Sequence, residues 1–271
     1  MKKTTLKCAI IGSEGFIAQR HMDAIKEISG VIITTCDIDK SKNADFTDYR
    51  AMLQDEIMRM VNCIVICTPN YLHAEMARDC LRTGKIVLVE KPLCINTDFT
   101  GLDGVNVCHQ LRYHPQFDEI KESLLSARSV RMVMRAYRDK NFWNSWKGDE
   151  QMSGGVVYIL GSHLIDLMVA CLGGNNWQII EAKDTMKKSI GIINFEGIEI
   201  EFLFEILDTR EGQGRWIDID GRIFTLSLRD NLSFEGLHDK IYLNMLQRKG
   251  VKLEDAKKSI IILDAIKKIG R

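Results

Sequence analysis

The first 112 residues of the chain alternate between apolar runs and stretches of helical periodicity. The apolar runs, each of which predicts a buried strand, occupy residues 6–11, 31–36, 63–67, 86–89 and 105–111. Helical periodicity follows the first three runs, at residues 17–28, 49–60 and 71–82. Continuously apolar strands that alternate with helices are typical of a parallel sheet covered on both faces. The connection at residues 93–104 is short for a crossover helix, so we expect an abbreviated connection there.

The pattern changes beyond residue 112. Helices are predicted at residues 116–126, 153–172, 237–248 and 253–269, and a polar loop at residues 139–152. Strands are predicted at residues 130–138, 177–182, 189–195, 198–206, 215–220 and 222–228. Gly197 and Gly221 mark hairpin turns, which favours an open, mainly antiparallel sheet. Because an open sheet must cover its apolar face, we expect a partner subunit's sheet there, and hence a homo-oligomer, dimer or tetramer.

The glycines after the first apolar run predict a phosphate-binding turn. Gly12 permits a sharp turn, Gly15 lets the backbone approach a phosphate, and Ala18 still allows the helix to pack against the strand. The free N–H groups and the positive end of the helix dipole would then face an anion. Asp37 ends the second predicted strand, about 20 residues past the glycines, where an acid hydrogen-bonds an adenosine ribose.

These features together predict an α/β chain with two domains. Residues 1–112 are expected to form a Rossmann domain, a doubly wound parallel sheet that binds a dinucleotide. Residues 113–271 are expected to form a C-terminal α+β domain with an open, mainly antiparallel sheet, responsible for substrate binding and oligomer contacts.

Composition and charge exclude several classes of function. The 37 basic and 37 acidic residues cancel, and no basic stripe favours binding to nucleic acid or to a membrane surface. The basic start of the chain is interrupted by Gly12 too early for a signal peptide, and the apolar run at 164–172 carries Asp166, so no membrane span is expected. The eight cysteines lie mostly in apolar runs, and neither they nor the histidines show metal-ligand spacing. We therefore expect a cytoplasmic protein with reduced cysteines and no metal.

Candidate chemistry lies where the parallel strands end, because ligands of doubly wound sheets bind outside the carboxyl ends of the strands. The glycine turn, residues 68–70 (TPN) and residues 90–92 (EKP) meet that condition. Lys91 is held in an extended backbone region by Pro92, so its ammonium group could be aimed at a substrate hydroxyl and relay a proton. The alternative is a solvated lysine at a strand end.

His163 is a second candidate, on the apolar helix two residues after Gly161 and nearly one turn before Asp166. A lone histidine on such a helix is more often a hydrogen-bonded core residue, so both interpretations stay open. Lys147, beside Trp146 in the loop before that helix, could pair with an anionic substrate group or be solvated. Arg112 follows the last strand of the first domain and lies at the same edge.

Several motifs together resemble the glucose–fructose oxidoreductase / inositol dehydrogenase / MocA (Gfo/Idh/MocA) family. They are residues 12–18 (GSEGFIA), 68–70 (TPN) with His73, 90–92 (EKP) and 161–163 (GSH) with Asp166. Within the family, other stretches are similar to the UDP-N-acetyl-2-amino-2-deoxyglucuronate dehydrogenases of bacterial lipopolysaccharide O-antigen biosynthesis. These stretches are residues 15–27, 109–115, 145–155, 219–242 and 253–260. The resemblance covers nearly the whole chain.

The resemblance implies an NAD-dependent oxidoreductase that oxidises the C3 hydroxyl of a UDP-linked N-acetylated aminosugar uronate to the 3-keto sugar. It implies Lys91 and His163 as catalytic residues, with His163 as the general base, and Asp37 as the residue that selects NAD over NADP. The implied cofactor-binding residues are Gly12, Gly15, Phe16, Ile17, Asp37, Thr68, Pro69, Asn70, His73, Glu90 and Lys91. The implied substrate-binding residues are Arg112, Trp146, Lys147 and His163.

Two departures from the family pattern motivate other hypotheses. Family members usually carry Asp or Asn four residues before the histidine, whereas this chain has Ile159, whose side chain forms no hydrogen bonds. The segment 93–104 is also shorter than the family norm by about one helix. A catalytically weakened NAD-binding sensor or scaffold is therefore an alternative, and so is a dehydrogenase of a free sugar or cyclitol.

Overall fold

A computed structural model describes residues 5–227 and 236–271 of the protein. As far as they are described, residues 1–94, 98–108 and 235–253 form one compact unit, unit 1, and residues 95–97, 109–234 and 254–271 form a second, unit 2. The segment 235–253 joins unit 1 from far along the chain, which the linear pattern of apolar residues does not indicate. The predicted boundary between residues 112 and 113 stays a prediction.

Unit 1 contains the predicted parallel sheet. Its strands are β1 (Lys7–Ile11), β2 (Val31–Cys36), β3 (Cys63–Ile66), β4 (Ile86–Glu90) and β5 (Asn106–Cys108). They lie in the order β2-β1-β3-β4-β5, and every neighbouring pair is parallel. The strand order reverses between β1 and β3, and this switch point is where such sheets bind ligands.

The helices of unit 1 begin and end close to the predicted positions. They are α1 (Phe16–Glu27), α2 (Tyr49–Gln54), α3 (His73–Leu81) and α8 (His238–Leu246), with 3₁₀ turns at Glu56–Met60 and Asn70–Leu72. Residues 93–104 contain turns and bends without a helix, so the abbreviated connection to β5 is confirmed. The last predicted strand of this part is shorter than expected, because a 3₁₀ turn takes up Gln110–Tyr113.

Unit 2 is built on a mixed, mainly antiparallel sheet, as predicted. Its strands are β6 (Val130–Tyr137), β7 (Trp177–Asp184), β8 (Lys188–Phe195), β9 (Ile198–Leu207), β10 (Gly214–Ile219) and β11 (Arg222–Thr225). The order is β11-β10-β6-β9-β8-β7, and β6 pairs with β9 in parallel. The end of the predicted last strand, Leu228, lies outside the described residues. With the parallel sheet of unit 1, this sheet confirms the predicted fold class.

One face of this sheet is apolar and buried. Along β9, Ile200, Phe202 and Phe204 are buried, and they alternate with Glu199 and Glu201, which are exposed. The prediction that a partner subunit covers part of the sheet stays a prediction.

Short helices occupy the segment predicted as a polar loop. The helices of unit 2 are α4 (Phe117–Leu124), α5 (Lys140–Trp143), α6 (Glu150–Ser153), α7 (Ser162–Leu172) and α9 (Leu253–Ile269). The Asp139 carboxylate accepts a hydrogen bond from Phe142 N–H at the start of α5, and that of Asp149 accepts one from Gln151 N–H at the start of α6. These aspartates act as N-caps that stabilise the first turn of each short helix.

The segment Glu150–Leu172 is long and apolar enough to cross a membrane by length and composition alone, which the sequence analysis did not anticipate. However, 83% of its 18-residue apolar window is buried inside the protein. Asp166 within it is 1% exposed and forms a bidentate pair with Arg112. A buried charged pair at this place is typical of a core helix of a globular unit.

Candidate active site

The glycine turn lies at the switch point of the parallel sheet. Gly12 has φ of +79°, and a Cβ there would lie 2.9 Å from the carbonyl carbon and oxygen of Cys67, which follows β3. Only glycine therefore fits between β1 and β3. α1 begins directly after Gly15 and has no side-chain cap, so backbone N–H groups of its first turn are available to an anion.

Asp37 is held against this turn. One of its oxygens accepts a hydrogen bond from Glu14 N–H (2.9 Å), and the other accepts one from Asp39 N–H (3.0 Å). The glycine turn and Asp37, the two predicted parts of a dinucleotide site, are thereby hydrogen-bonded to each other, although 22 positions separate Gly15 from Asp37. Phe16 lies on the outer side of α1, where it is 78% exposed and stacks beneath the Arg20 guanidinium, 5.0 Å from the ring centre.

His73 connects the two loops that follow β3 and β4. The ring is 1% exposed, with Nδ1 2.7 Å from the carbonyl oxygen of Pro92 and Nε2 2.8 Å from that of Thr68. Burial lowers the pKa of His73, against the opposing effect of the two carbonyls. Both ring nitrogens face backbone acceptors, so this predicted cofactor residue positions the loops that carry Thr68 and Pro92.

Glu90 lies at the centre of a buried cluster in unit 1. His21 Nε2 lies 3.0 Å from Glu90 Oε1, and His21 Nδ1 lies 2.7 Å from the hydroxyl of Tyr242 on α8. The backbone N–H of Lys91 donates to Glu90 Oε2 at 3.1 Å. A neutral His21 that accepts from Tyr242 and donates to Glu90 satisfies each of these contacts. The cluster therefore fixes the backbone at Lys91 through Glu90.

The charges of this cluster follow from burial and hydrogen bonding. Burial lowers the pKa of His21, although its hydrogen bond to Glu90 opposes that effect. Burial alone would raise the pKa of Glu90, but the hydrogen bond from His21 and the nearby His238 hold that pKa well below its usual value. Glu90 is therefore an anion beside a neutral His21.

The same cluster brings together groups that could ligate a metal, although the sequence analysis expected none. Ligand atoms of His21, Glu90, Cys108 and His238 lie within 4.8 Å of one another, and all four residues are buried. This donor set is one that zinc uses. Both Glu90 oxygens already accept hydrogen bonds, however, so we interpret the group as a hydrogen-bonded cluster. The expected absence of a metal stays a prediction.

In unit 2, His163 lies on α7 directly after a π-helical turn, Val157–Gly161. Such turns are frequent at functional sites, because the extra residue re-aims the side chains that follow. A Cβ at Gly161 would lie 2.7 Å from the ring of Phe204, so glycine is needed for the close approach of this turn to β9. The His163 side chain is 9% exposed.

Arg112 and Asp166 form an internal pair of unit 2. Arg112 Nε and Nη2 donate to the two carboxylate oxygens of Asp166, each at 2.8 Å, and Ser259 Oγ donates to Asp166 Oδ1 at 2.9 Å. Burial alone would raise the pKa of Asp166, but His109 and Arg112 lower it. This bidentate geometry directs the guanidinium of Arg112, a predicted substrate residue, toward the protein interior.

Trp146 and Lys147 lie in a 3₁₀ turn, Trp146–Gly148, where Ser145 Oγ accepts the Lys147 N–H. The Lys147 ammonium lies 5.6 Å from the centre of the Trp146 ring. Arg138, which follows β6 in unit 2 beside Asp139, was not among the predicted site residues.

The structure therefore places the predicted cofactor residues, from Gly12 to Lys91, in unit 1. It places His163, Arg112, Trp146 and Lys147 in unit 2. The convergence of Lys91 with His163 stays a prediction.

Residues 6–100 match the model of the GFO_IDH_MocA oxidoreductase family, which describes an NAD-binding Rossmann fold. Together with the glycine turn and Asp37, this match confirms the predicted Rossmann fold and its cofactor, NAD.

The fold is similar to solved dehydrogenases. The WlbA (WbpB) dehydrogenase from Thermus thermophilus, in complex with NAD and alpha-ketoglutarate, has a TM-score of 0.84 at 28% identity, over 97% of this chain and 94% of that one. Its complex with NAD and UDP-GlcNAcA has a TM-score of 0.80 at 28% identity, over 96% and 94% of the two chains.

The curated relatives match over shorter stretches. The 4-carboxy-2-hydroxymuconate-6-semialdehyde dehydrogenase of Sphingobium sp. is 32% identical over 191 residues, which are 60% of this chain and 58% of that enzyme. The chain spans about half the length of several curated relatives that it matches.

Proposed function

We propose that the chain, whose residues 6–100 match the Gfo/Idh/MocA family model, is an NAD-dependent sugar-nucleotide dehydrogenase of that family. Its substrate would be a UDP-linked N-acetylated aminosugar uronate, whose C3 hydroxyl is oxidised to a ketone. The observation that carries this proposal is the 28% identity, over 96% of the chain, to a dehydrogenase solved with NAD and UDP-GlcNAcA. Lys91 and His163 occur in the motifs that carry the family resemblance.

The residues of this chain would share the work as follows. NAD supplies the acceptor for the hydride that leaves C3. His163 would act as the general base that accepts the proton of the C3 hydroxyl. Lys91 would orient that hydroxyl and relay its proton toward His163. Glu90 holds the backbone of Lys91, and the uncapped N-terminus of α1 receives the dinucleotide phosphates.

The wider setting is part of the same proposal. We place the reaction in the cytoplasm, in bacterial surface-polysaccharide (O-antigen) biosynthesis, and we expect a homo-oligomer formed through the sheet of unit 2. Exposed Ile190 (40%) and Ile223 (62%) on that sheet support an oligomer contact.

The test is to incubate the purified protein with NAD and UDP-GlcNAcA and to follow the absorbance of NADH. We expect turnover by the wild type and a loss of about 100-fold or more for Lys91→Ala, since proton transfer contributes about 10²–10⁴-fold. Lys85→Ala, which removes a lysine at the opposite end of β4, is the matched control. Absence of NADH formation by the wild type, or an unchanged rate for Lys91→Ala, would refute the proposal.

A catalytically weakened NAD-binding sensor or scaffold is the second candidate. Ile159 supports it, because this position offers no side-chain hydrogen bond to a substrate, and so does the helix-free segment 93–104. Tight NAD binding without turnover of any sugar substrate would support this candidate, and robust turnover would exclude it. Restored turnover in Ile159→Asn would identify that position as the cause.

The third candidate keeps the enzyme but replaces the substrate by a free sugar or a cyclitol. Competition by UDP against substrate binding separates it from the first candidate. UDP that fails to compete would favour the free sugar or cyclitol.

A further inference from the structure

Helix α9 contacts α7 and the π-helical turn before it through one face of its side chains. Ser259, Leu263 and Lys267 are spaced four residues apart, so they lie on that face and form a contact stripe. Ser259 Oγ donates to Asp166 Oδ1 at 2.9 Å, and a Cβ at Gly161 would lie 3.4 Å from Leu263 Cδ2. In sequence, these two contacts lie on either side of the histidine that the family resemblance implies as the general base.

Lys267, the third residue of the contact stripe, is held by partners within residues 150–158. Its ammonium donates to the carbonyl oxygen of Gly154 at 2.8 Å and lies 3.2 Å from Glu150 Oε1. The same ammonium lies 5.7 Å from the centre of the Tyr158 ring. The Lys267 side chain is only 16% exposed, and a lysine buried to that extent is normally paired. One cation thus connects α6, the glycine that follows it and the π-helical turn.

The end of α9 that carries Lys267 is itself anchored. The N–H of Asp184, at the end of β7, donates to the carbonyl oxygen of Gly270 at 2.9 Å. A Cβ at Gly270 would lie 2.7 Å from the nitrogen of Asp184, so helix and strand are in close contact there. Burial alone would raise the pKa of Glu150, but the hydrogen bonds from Lys267 and Arg271 lower it, so the ammonium faces an anion.

The segment between α6 and α7 has a backbone that needs such support. Gly154 and Gly155 both have positive φ, of +85° and +84°, and the turn Val157–Gly161 is π-helical. A Cβ at Gly154 would lie 2.7 Å from the Tyr158 ring, so the glycine packs directly against the π-helical turn. A π-helical turn is rare, and uncommon backbone forms persist where the surrounding structure holds them. The contact stripe of α9 supplies contacts at both ends of this segment.

We propose that α9 positions His163 through its contact stripe, and that Lys267 is the positioning residue that sets the π-helical turn from which α7 begins. The identity of the reaction rests on the proposed function, whereas the positioning itself rests on contacts within unit 2. A general base must lie within hydrogen-bond distance of the proton that it accepts, and a displacement of about 1 Å can cost about 100-fold in rate. Lys267 therefore acts on the reaction through His163.

Steady-state kinetics with NAD and UDP-GlcNAcA would compare the wild type with Lys267→Met and with the matched control Lys268→Met. Lys268 is the neighbouring cation, 71% exposed and paired with Asp264 of the same helix. We expect Lys267→Met to lower kcat and kcat/KM together by about 10- to 100-fold with KM nearly unchanged, because a misplaced base affects the transition state. Lys268→Met should keep the kcat of the wild type. Both variants should bind NAD as the wild type does in calorimetry, since the predicted cofactor residues lie in unit 1.

A second measurement does not depend on turnover. The chain has six histidines, so NMR spectra of protein labelled with ¹³C-histidine contain few imidazole resonances, which single substitutions assign. We expect Lys267→Met to shift the resonance of His163 and to leave those of His21 and His73, in unit 1, unchanged. If Lys267→Met does not fold, Glu150→Gln replaces it, because glutamine keeps the shape of the side chain and removes its charge. We expect Glu150→Gln to shift the same resonance and to lower kcat by a smaller factor.

The inference requires both effects in the same variant. A fall of kcat without a shift of the His163 resonance, a shift without a fall of kcat, or neither effect would overturn it. Equal losses of kcat in Lys267→Met and Lys268→Met would also overturn it, because an exposed lysine on the same helix would then matter as much. If the wild type does not oxidise UDP-GlcNAcA, the proposed function fails, and the His163 resonance alone decides the inference.

Discussion

The buried contact between Tyr242 and His21 allows a sharp test of the cluster around Glu90. Both side chains are 0% exposed, and the hydroxyl of Tyr242 lies 2.7 Å from His21 Nδ1. Tyr242→Phe removes one oxygen and leaves His21 Nδ1 buried without its partner. A buried polar atom left unsatisfied costs about 1–3 kcal/mol, so we expect unit 1 to lose about that much free energy of unfolding.

The assay must report on unit 1, which contains no tryptophan. Urea unfolding followed by circular dichroism, compared with tryptophan fluorescence from unit 2, separates the two. Tyr49→Phe is the matched control in unit 1, since Asp79 keeps its pairs with Arg82 and Arg50 when it loses the Tyr49 hydroxyl. If Tyr242→Phe lowers the free energy of unfolding no more than Tyr49→Phe does, the stabilising role of the cluster around Glu90 is refuted.

Three further predictions concern pH, the glycine turn and cofactor choice. The pKa values of His21 and Glu90 are both lowered in the folded state, so the unfolded chain binds more protons as the pH falls. In urea unfolding, the free energy of unfolding should therefore decrease below pH 6.5 because of His21, and decrease further below pH 4.5 because of Glu90. A free energy of unfolding that rises on acidification would contradict this. Gly12→Ala should abolish NAD binding in calorimetry. The control is Gly84→Ala, because Gly84 has φ of +72° and an added Cβ would meet no atom within 4 Å, so this variant should bind NAD and lose only about 1–2 kcal/mol of stability. Equal NAD affinity of the two variants would contradict the role of the glycine turn. Asp37→Ser should weaken discrimination against NADP by about tenfold or more, since like charges in contact cost several kcal/mol, and an unchanged NAD-to-NADP preference in binding assays would exclude this role.

Local features of the sequence were sufficient to predict most elements. β2 and α9 have the predicted bounds. The apolar run that forms β2 and the helical periodicity that forms α9 each end at a polar residue or a glycine. α5 and α6 were missed, since a four-residue helix has no room for a period and depends on its Asp N-cap. The parallel pairing of β6 with β9 was also missed, because apolar alternation does not encode strand direction.

The candidate site was predictable only where its residues are near in sequence. The glycine turn and Asp37 belong to a motif with a known spacing, and the structure joins them. The cluster of His21 and Tyr242 spans 221 positions, and no spacing rule connects residues that far apart. The pairing of Arg112 with Asp166 was not predictable either, because the two residues lie 54 positions apart, and the substrate role of Arg112 stays a prediction.

The most direct test of the central claim is a crystal structure of the protein with NAD and UDP-GlcNAcA bound. We expect the sugar C3 to lie within hydride-transfer distance of the nicotinamide, with the Lys91 ammonium and the His163 imidazole both hydrogen-bonded to the C3 hydroxyl. A complex in which Lys91 and His163 contact different ligands, or in which protein side chains fill the space above the glycine turn, would contradict it.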